Sequence, residues 1–313
     1  MALAERIDVH TTVSLNSIRY YDYMRANYRA LADEPARVRF IAYCLDRPSA
    51  IWLGRVADLA GVVTIPYARG SLGHALGIEA ALQRCESSAI HVIADADTAI
   101  FARGWDSMIV EALSASRRYG ILGVPYEDIG GFSSGITPHQ TYKRIPTMTW
   151  MAMSPHFDFR TLEVRPDKGT VVELDTEELA QIYNLPVGFS VLKDVGWQIP
   201  SFIHRYGIRH LALDLVNPES PLAKPLAGVA PYHDEFHWDG IPFLGHQRGS
   251  MKHRFRIDPL SCDFYDACDS YFGNPMWSVH PTIFDRAMAK AQDAFGAVKK
   301  FIRPVLRRGV PIS

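Results

Sequence analysis

The stretch that decides the fold is Ala89-Ile90-His91-Val92-Ile93-Ala94-Asp95-Ala96-Asp97, a mostly apolar run followed by two aspartates. The run predicts a buried strand that ends at the two carboxylates. In an open α/β sheet, the carboxyl ends of the strands face the ligand crevice. Two carboxylates one residue apart can hold Mg²⁺ or Mn²⁺, and such a cation can in turn hold a diphosphate. The alternative is a solvated turn, because an Asp-x-Asp tripeptide alone is a weak signal.

Strands and helices alternate on both sides of this stretch. The predicted strands cover 7–14, 38–45, 61–66, 89–94 and 120–124, and the predicted helices cover 17–32, 50–59, 72–83 and 105–116. Such alternation predicts βαβ units, and therefore an α/β fold with a mostly parallel sheet flanked by helices. Beyond it, the pattern predicts a strand at 147–153, helices at 176–184 and 194–206, a strand at 208–213 and a last helix at 281–301. Residues 217–282 show little periodicity and are expected to be irregular.

Composition narrows the class of protein. The 313 residues are 48% hydrophobic, which allows one large domain or two smaller ones. A net charge of −1 argues against general binding of nucleic acid through its phosphates. The four cysteines form no Cys-x-x-Cys pair, and no signal peptide or membrane-spanning stretch is evident. We expect a cytoplasmic protein with reduced cysteines.

Two common phosphate-binding motifs are missing from the sequence. No Gly-x-Gly-x-x-Gly follows the first strand, and no Walker loop occurs in the chain. Dinucleotide oxidoreduction and P-loop phosphoryl transfer are therefore unsupported, and a metal becomes the obvious means of holding a diphosphate. Asp46 ends the second strand, where a carboxylate can accept hydrogen bonds from a base or a ribose. A polar turn residue is the alternative interpretation of Asp46.

These residues, in this order, resemble a GT-A-fold glycosyltransferase, and the nearest type is the inverting family two. The resemblance covers about residues 6–210 and rests on Asp46, the Arg69-Gly70 turn before a helix, and Asp95-Ala96-Asp97. It implies a GT-A-like (Rossmann-like) central sheet with an irregular acceptor region towards the C-terminus. Residues 1–125 would form the donor half, 126–280 the acceptor-binding and catalytic half of the same domain, and 281–313 a basic C-terminal helix.

The resemblance also implies a set of site residues. Asp46 would contact the nucleobase, Asp95 would face the ribose or the metal, and Asp97 would ligate the metal. Ser14, Arg69 and Ala96 would complete the donor site. The implied cofactor is Mn²⁺ or Mg²⁺, and the donor is a nucleotide-diphosphate sugar. The implied acceptor is a carbohydrate or a lipid-linked saccharide, as in the synthesis of surface polysaccharides or glycoconjugates.

Enzymes of this family need a general base that deprotonates the acceptor hydroxyl. The base usually lies about a hundred residues after the metal motif, in an acidic pair at the start of a helix. Asp194 fits this position, with Lys193 where the family has an acidic residue. Asp175 and Glu177 are the second choice. For all three residues, capping or charging of a helix N-terminus is the alternative interpretation.

Histidines cluster late in the chain, at positions 233, 237, 246 and 253. Some GT-A enzymes add a C-terminal histidine to the metal ligands. His246 is the best candidate, because Gly245 and Gly249 would let its loop approach the site, and His237 is second. Metal binding through His246 should weaken as the pH falls through the ordinary histidine range. The basic and apolar segment 299–308 could contact an anionic membrane surface, although a solvated helix end is an equal alternative.

Two other functions remain open from the sequence. A nucleotidyltransferase with a similar sheet would need a Gly-rich, basic loop after the first strand, and residues 13–17 lack one. A non-catalytic carbohydrate- or nucleotide-binding module could use the same fold. Metal-dependent hydrolysis of a sugar nucleotide would distinguish an enzyme from such a module.

Overall fold

The computed structural model describes residues 6–66, 70–115, 118–125, 146–167, 169–216, 220–227, 229, 233–247 and 259–273. In chain order its strands are β1 (Arg6–Val13), β2 (Val38–Cys44), β3 (Gly61–Thr64), β4 (Ala89–Ala94), β5 (Thr98–Ile100), β6 (Ile121–Pro125), β7 (Pro146–Met153), β8 (Val171–Glu173), β9 (Ser190–Leu192), β10 (His210–Ala212), β11 (Asp214–Val216), β12 (His233–Trp238) and β13 (Ile241–Gln247). Its α-helices are α1 (Ile18–Leu31), α2 (Arg47–Leu53), α3 (Ser71–Leu82), α4 (Trp105–Val110), α5 (Glu177–Tyr183), α6 (Ile199–Tyr206) and α7 (Pro259–Phe272).

A central sheet of seven strands, counted over the residues just given, has the order β10-β6-β7-β4-β1-β2-β3. Strand β1 is parallel to β2 and β4, and β2 is parallel to β3. Strand β10 is parallel to β6, while β7 lies antiparallel between β4 and β6. The mostly parallel α/β sheet expected from the sequence is therefore confirmed.

Side chains that alternate along the strands divide the core between the two faces of this sheet. Val9 and Phe40 join a cluster with helix α1, whereas Ile41 and Ile93 join a cluster with helix α3. Successive side chains of a strand point to opposite faces of the sheet, and here the side chains on both faces are buried. Helices therefore cover both sides of the sheet, as the alternation of elements predicts.

A second sheet has the antiparallel order β11-β12-β13-β5. The expectation that residues 217–282 are irregular is therefore wrong for the part that forms the β12–β13 hairpin and helix α7. Strand β12 is buried at five of its six positions although its sequence begins His233-Asp234-Glu235. Buried polar residues remove the hydrophobic periodicity on which the prediction of a strand depends.

Several helix boundaries differ from their predictions. The helix expected from Asp194 begins at Ile199, after a turn. The helix expected at 50–59 runs over Arg47–Leu53, because Asp46 caps its N-terminus. Helix α4 continues as a π-helical turn over Glu111–Ala115. Among the helices described, none is long and apolar enough to cross a membrane.

Candidate metal and donor site

The turn Asp95-Ala96-Asp97 is the link between the two sheets, because β4 ends just before it and β5 begins just after it. Three contacts fix its backbone. The Asp95 N–H donates to the Thr149 carbonyl at 2.8 Å, and the Thr98 hydroxyl donates to the Asp95 carbonyl at 2.8 Å. The Gln247 N–H donates to the Asp97 carbonyl at 3.0 Å. Strands from both sheets therefore hold the two aspartates at the carboxyl end of β4.

Strand pairing brings His246 to this turn. His246 lies opposite Thr98 in the antiparallel pair of β13 and β5, and its Nε2 is 3.7 Å from Asp97 Oδ1. The residue lies in a strand, which corrects the expectation of a glycine-rich loop. Gly245 is required for a different reason, since a Cβ at this position would lie 2.8 Å from the Phe101 ring.

Asp95, Asp97 and His246 form one cluster, in which one ligand atom from each residue lies within 4.8 Å of the others. Two carboxylate oxygens and one imidazole nitrogen are a donor set that suits Mn²⁺, and the carboxylates also suit Mg²⁺. The residues therefore fit the expected cation. Asp97 is buried and Asp95 is half-buried, so the cluster contacts solvent through Asp95.

The charges of this cluster shift the pKa values of its members. Burial raises the pKa of Asp95 to about 6; Asp97 also raises it, while His74 and His246 oppose the shift. Burial by itself lowers the pKa of His246, but its hydrogen bond to Asp234 and the nearby Asp97 and Asp95 carboxylates raise the pKa to about 9. Crowded carboxylates thus favour positive charge at this place, which a divalent cation would supply.

Two further side chains support the cluster, and sequence reasoning missed both. Asp234 Oδ2 lies 3.4 Å from His246 Nδ1, which leaves Nε2 directed to Asp97. His74 Nε2 lies 3.6 Å from Asp95 Oδ1, and its Nδ1 is 2.7 Å from the Thr12 hydroxyl.

A signal for His74 existed in the sequence, because a helix that follows a parallel strand begins at the carboxyl edge of the sheet. His74 lies in the first turn of such a helix, α3, which follows β3. Asp234 had no comparable signal, since it faces His246 only through the unpredicted β12–β13 pairing.

Asp46 has a structural role at the end of β2. Its Oδ1 accepts from the Ser49 N–H, and its Oδ2 accepts from the Leu15 N–H, both at 2.8 Å. The carboxylate therefore caps α2 and fastens the loop after β1, where the Ser14 N–H donates to Ser17 Oγ at 2.9 Å. A contact of Asp46 or Ser14 with a nucleotide stays a prediction.

The other two residues of the expected donor site are Ala96 and Arg69. Ala96 is fully buried between Asp95 and Asp97 in the turn after β4. Arg69 lies outside the described residues, as does the C-terminal segment 281–313.

Asp194 is exposed in the turn before α6 rather than at its first residue. Its Oδ1 accepts from the Val195 N–H at 2.8 Å. The neighbouring Lys193 ammonium lies 5.0 Å from the centre of the Trp197 ring, which keeps this turn folded on itself. The contacts of Asp194 are local, and its role as a base stays a prediction.

Asp175 and Glu177 are exposed at the start of α5. Thr176 caps this helix, because its hydroxyl oxygen accepts from the Leu179 N–H at 3.2 Å. Glu177 lies in the first turn, where a negative charge stabilises a helix. Within the described residues, the metal cluster includes neither these two acids nor Asp194.

His237, the second histidine considered for the metal, is held elsewhere. Its Nε2 lies 2.6 Å from Oε1 of the fully buried Glu235. The same carboxylate accepts from the backbone N–H groups of Lys224 and Leu226, at 3.2 and 3.0 Å. This buried pair anchors the segment before β12.

Comparisons with known proteins give similarity of fold. No protein-family model matches the sequence, and no curated protein matches it. Similar solved structures include S. aureus TarS 1-349, with 13% identity over 66% of this chain and 60% of that chain at a TM-score of 0.36. Another is the mannosyltransferase PcManGT from Pyrobaculum calidifontis in complex with GDP-Man and Mn²⁺, with 17% identity over 66% and 54% of the two chains at 0.38.

A third is the glycosyltransferase GlyE in Streptococcus pneumoniae TIGR4, with 10% identity over 67% and 45% of the two chains at a TM-score of 0.35. The chain thus spans between 45% and 60% of the length of these three structures. Two of them are glycosyltransferases by name, the class of enzyme that the sequence resembles. At these TM-scores the likeness assigns no activity to this chain.

Proposed function

We propose that this chain is a metal-dependent glycosyltransferase that moves a sugar from a nucleotide-diphosphate donor to an acceptor hydroxyl. The observation that carries the proposal is the cluster of Asp95, Asp97 and His246 at the carboxyl edge of a mostly parallel sheet. Ligands of open α/β sheets bind at this edge. The sequence has no phosphate-cradling loop, so a cation held by the cluster is the means of binding a diphosphate.

Asp95, Asp97 and His246 would hold Mn²⁺ or Mg²⁺, and the bound cation would neutralise the leaving diphosphate. The imidazole favours Mn²⁺, because Mg²⁺ prefers oxygen ligands. Asp234 keeps the His246 ring in the orientation that directs Nε2 to Asp97. His74 places an imidazole beside Asp95 on the other side of the turn, where it can donate a hydrogen bond to the carboxylate or to a phosphate oxygen.

On the acceptor side, the proposed reaction is an inverting displacement in which Asp194 takes the proton of the attacking hydroxyl. Support comes from its place before helix α6, about a hundred residues after the metal motif, and Asp175 and Glu177 are the second choice. The acceptor would be a carbohydrate or a lipid-linked saccharide. A cytoplasmic location, with membrane contact through residues 281–313, is part of the same proposal.

Calorimetry with a panel of UDP and GDP sugars tests the donor and metal parts together. We expect at least one sugar nucleotide to bind in Mn²⁺, and to lose roughly 100-fold or more in affinity in EDTA, since a metal contributes several kcal/mol. Asp97→Asn should cause the same loss in Mn²⁺. Asp158→Asn is the matched control, because this exposed carboxylate pairs with Arg160 at the amino edge of the sheet.

Equal affinity in Mn²⁺ and in EDTA would contradict the metal role. Binding without transfer or hydrolysis of the sugar would indicate a binding module instead of an enzyme. Formation of the sugar nucleotide from a nucleoside triphosphate and a sugar phosphate would indicate a nucleotidyltransferase.

A further inference from the structure

A second group of metal-ligating side chains lies about midway along strands β1 and β4 of the central sheet. His10 of β1 and His91 of β4 face each other, with His10 Nε2 2.9 Å from His91 Nδ1. Cys85 follows α3, and one ligand atom from each of the three residues lies within 4.8 Å of the others. His91 precedes Asp95 by four residues of an extended chain, or about 13 Å. The group is therefore distinct from the Asp95 cluster.

The outward nitrogen of each ring lies beside an oxygen to which a ligating histidine could donate its N–H. His10 Nδ1 lies 3.0 Å from the Tyr43 hydroxyl, and His91 Nε2 lies 3.0 Å from the Glu86 carbonyl oxygen. A histidine bound to metal through one nitrogen usually donates its other N–H to such an oxygen, which fixes the tautomer. Here the two nitrogens that remain for a metal, His10 Nε2 and His91 Nδ1, are those that face each other.

The charge state of the group also suits a metal. Burial lowers the pKa of His10 well below its usual value, and burial lowers the pKa of His91 as well. Both rings are therefore neutral near pH 7, as ligands must be. Burial raises the pKa of the Cys85 thiol to about 12, so the thiol needs a metal to become a thiolate at neutral pH.

Solvent reaches this group from the amino edge of the sheet. His91 and Cys85 line a cavity of about 730 Å³. Of the four arginines in the described lining of this cavity, three have carboxylate partners: Arg6 with Asp8 and Glu86, Arg39 with Asp8, and Arg160 with Asp158. A cation entering here would therefore meet side chains whose charges are largely compensated. The cavity supplies an entry path and water for a fourth ligand position.

We propose that His10, Cys85 and His91 form a second metal site, which binds Zn²⁺ or a similar ion such as Co²⁺ through two nitrogens and one sulfur. Imidazole and thiolate are the ligands that Zn²⁺ and Co²⁺ prefer, whereas the carboxylate cluster suits harder ions. Nitrogens bound at about 2.1 Å in tetrahedral geometry lie about 3.4 Å apart. The facing rings therefore need to separate by about 0.5 Å and to tilt, so that the two nitrogens point to one metal position and not to each other. The Cys85 sulfur, now 3.7 Å from the Ala81 carbonyl oxygen, must move closer.

Proton balance follows from the hydrogen bonds. Before metal binding, the Glu86 N–H donates to His91 Nε2 at 2.8 Å, so His91 Nδ1–H donates to His10 Nε2. A bound metal would move the His91 proton to Nε2, which would donate it to the Glu86 carbonyl, and the Glu86 N–H would lose His91 as its acceptor. The Cys85 thiol loses its proton to solvent. One proton per metal is released, and no redox partner is needed.

Cobalt titration of the EDTA-treated full chain tests the proposal, because Co²⁺ bound by a thiolate gives a near-ultraviolet charge-transfer band. We expect a band that saturates at one Co²⁺ per chain and is bleached by Zn²⁺. The band should persist in Asp97→Asn, which alters only the carboxylate cluster, and should disappear in Cys85→Ser. In the Asp97→Asn background, which removes the carboxylate cluster as a competing site, Zn²⁺ should raise the melting temperature by mass action on the folded state. It should leave the melting temperature of the double variant that adds Cys85→Ser unchanged.

Cys85 is half-buried, so the serine variant keeps the volume and is expected to fold. His91→Gln is the second variant, and it should lose the band while circular dichroism stays unchanged. Absence of the band in the wild-type chain, or a band of equal intensity in Cys85→Ser, would overturn the proposal. The carboxylate cluster has no thiolate, so these outcomes leave the proposed glycosyltransferase site untouched.

Discussion

Three carboxylates stabilise the protonated form of His246. Asp234 lies 3.4 Å from Nδ1, Asp97 lies 3.7 Å from Nε2, and Asp95 adds its charge. The sequence predicts an ordinary histidine titration, but these neighbours raise the pKa of His246 to about 9. A metal ion bound by His246 would therefore have to displace this proton at any pH in the neutral range.

We predict that the affinity for Mn²⁺ rises by about tenfold per pH unit between pH 6 and pH 8.5, because a protonated His246 cannot ligate. Asp234→Asn should lower the pKa of His246 and flatten this rise above pH 7. Calorimetric titrations at several pH values measure it. Asp239→Asn, at the exposed tip of the same hairpin, should keep the wild-type slope. An affinity that is level above pH 7 in the wild-type chain would contradict the prediction.

A comparison of isosteric variants identifies the general base. Asp194→Asn should keep donor binding and lower turnover by roughly two orders of magnitude or more, as loss of a general base does. Glu177→Gln, an exposed residue of helix α5, should retain activity. Steady-state kinetics with the identified donor and acceptor give both values. The reverse result would move the base to the cluster of Asp175 and Glu177.

At the scale of elements, helix α1 closes the free edge of strand β5. The buried Asn27 amide donates to the Ile100 carbonyl at 3.0 Å, and its oxygen accepts from the Ile100 N–H at 2.6 Å. One side chain thus takes the place of a neighbouring strand. Since β5 follows the turn of Asp95-Ala96-Asp97 directly, Asn27 ties the position of that turn to the helix that packs on the central sheet.

We predict that Asn27→Ala lowers the free energy of unfolding by about 2 kcal/mol or more, because the buried N–H and C=O of Ile100 lose their partner. Urea unfolding measures this loss. Arg19→Ala, at an exposed position of the same helix, should change stability by less than about 0.5 kcal/mol. If the two variants are equally stable, the amide does not close the strand edge.

At the scale of the whole molecule, the central sheet carries two polar groups at different levels along its strands. The carboxylates lie at the carboxyl edge, and the neutral pair of His10 and His91 lies about midway along β1 and β4. The two groups respond to pH in different ways, because burial holds the histidine pair uncharged while the carboxylates hold His246 protonated.

The histidine pair predicts acid sensitivity of the metal-free protein. The pKa of His10 is lowered in the folded state, so the unfolded chain binds more protons below about pH 6.5. Above this pH the neutral histidines contribute fully to the free energy of unfolding. Below it the free energy of unfolding falls by up to about 1.4 kcal/mol per pH unit for each histidine. Urea unfolding in EDTA at pH 7.5 and 5.5 measures the slope.

His10→Gln should reduce this slope, and the exposed His204→Gln should leave it unchanged. A slope that is the same in His10→Gln and in the wild-type chain would show that other groups govern acid stability.

The sequence by itself determined the α/β class, the order of the first elements and the place of the two aspartates. These features are local. Each depends on a stretch of about a dozen residues, whether it is an apolar strand such as β4, a helix of period 3.6 or the turn after a strand. Because parallel strands share one carboxyl edge, the sequence also placed Asp46 and Asp95 at the same edge of the sheet.

Tertiary structure alone decided which side chains meet there. His246 and Asp234 reach the aspartates through the pairing of β12 and β13 with β5, which joins residues about 150 positions apart. Polar residues such as Glu235 are buried in β12, so hydrophobic periodicity could not predict this strand. The shifted pKa values, the start of α6 beyond Asp194 and the facing pair of His10 and His91 likewise depend on contacts between distant segments, which no local window of sequence contains.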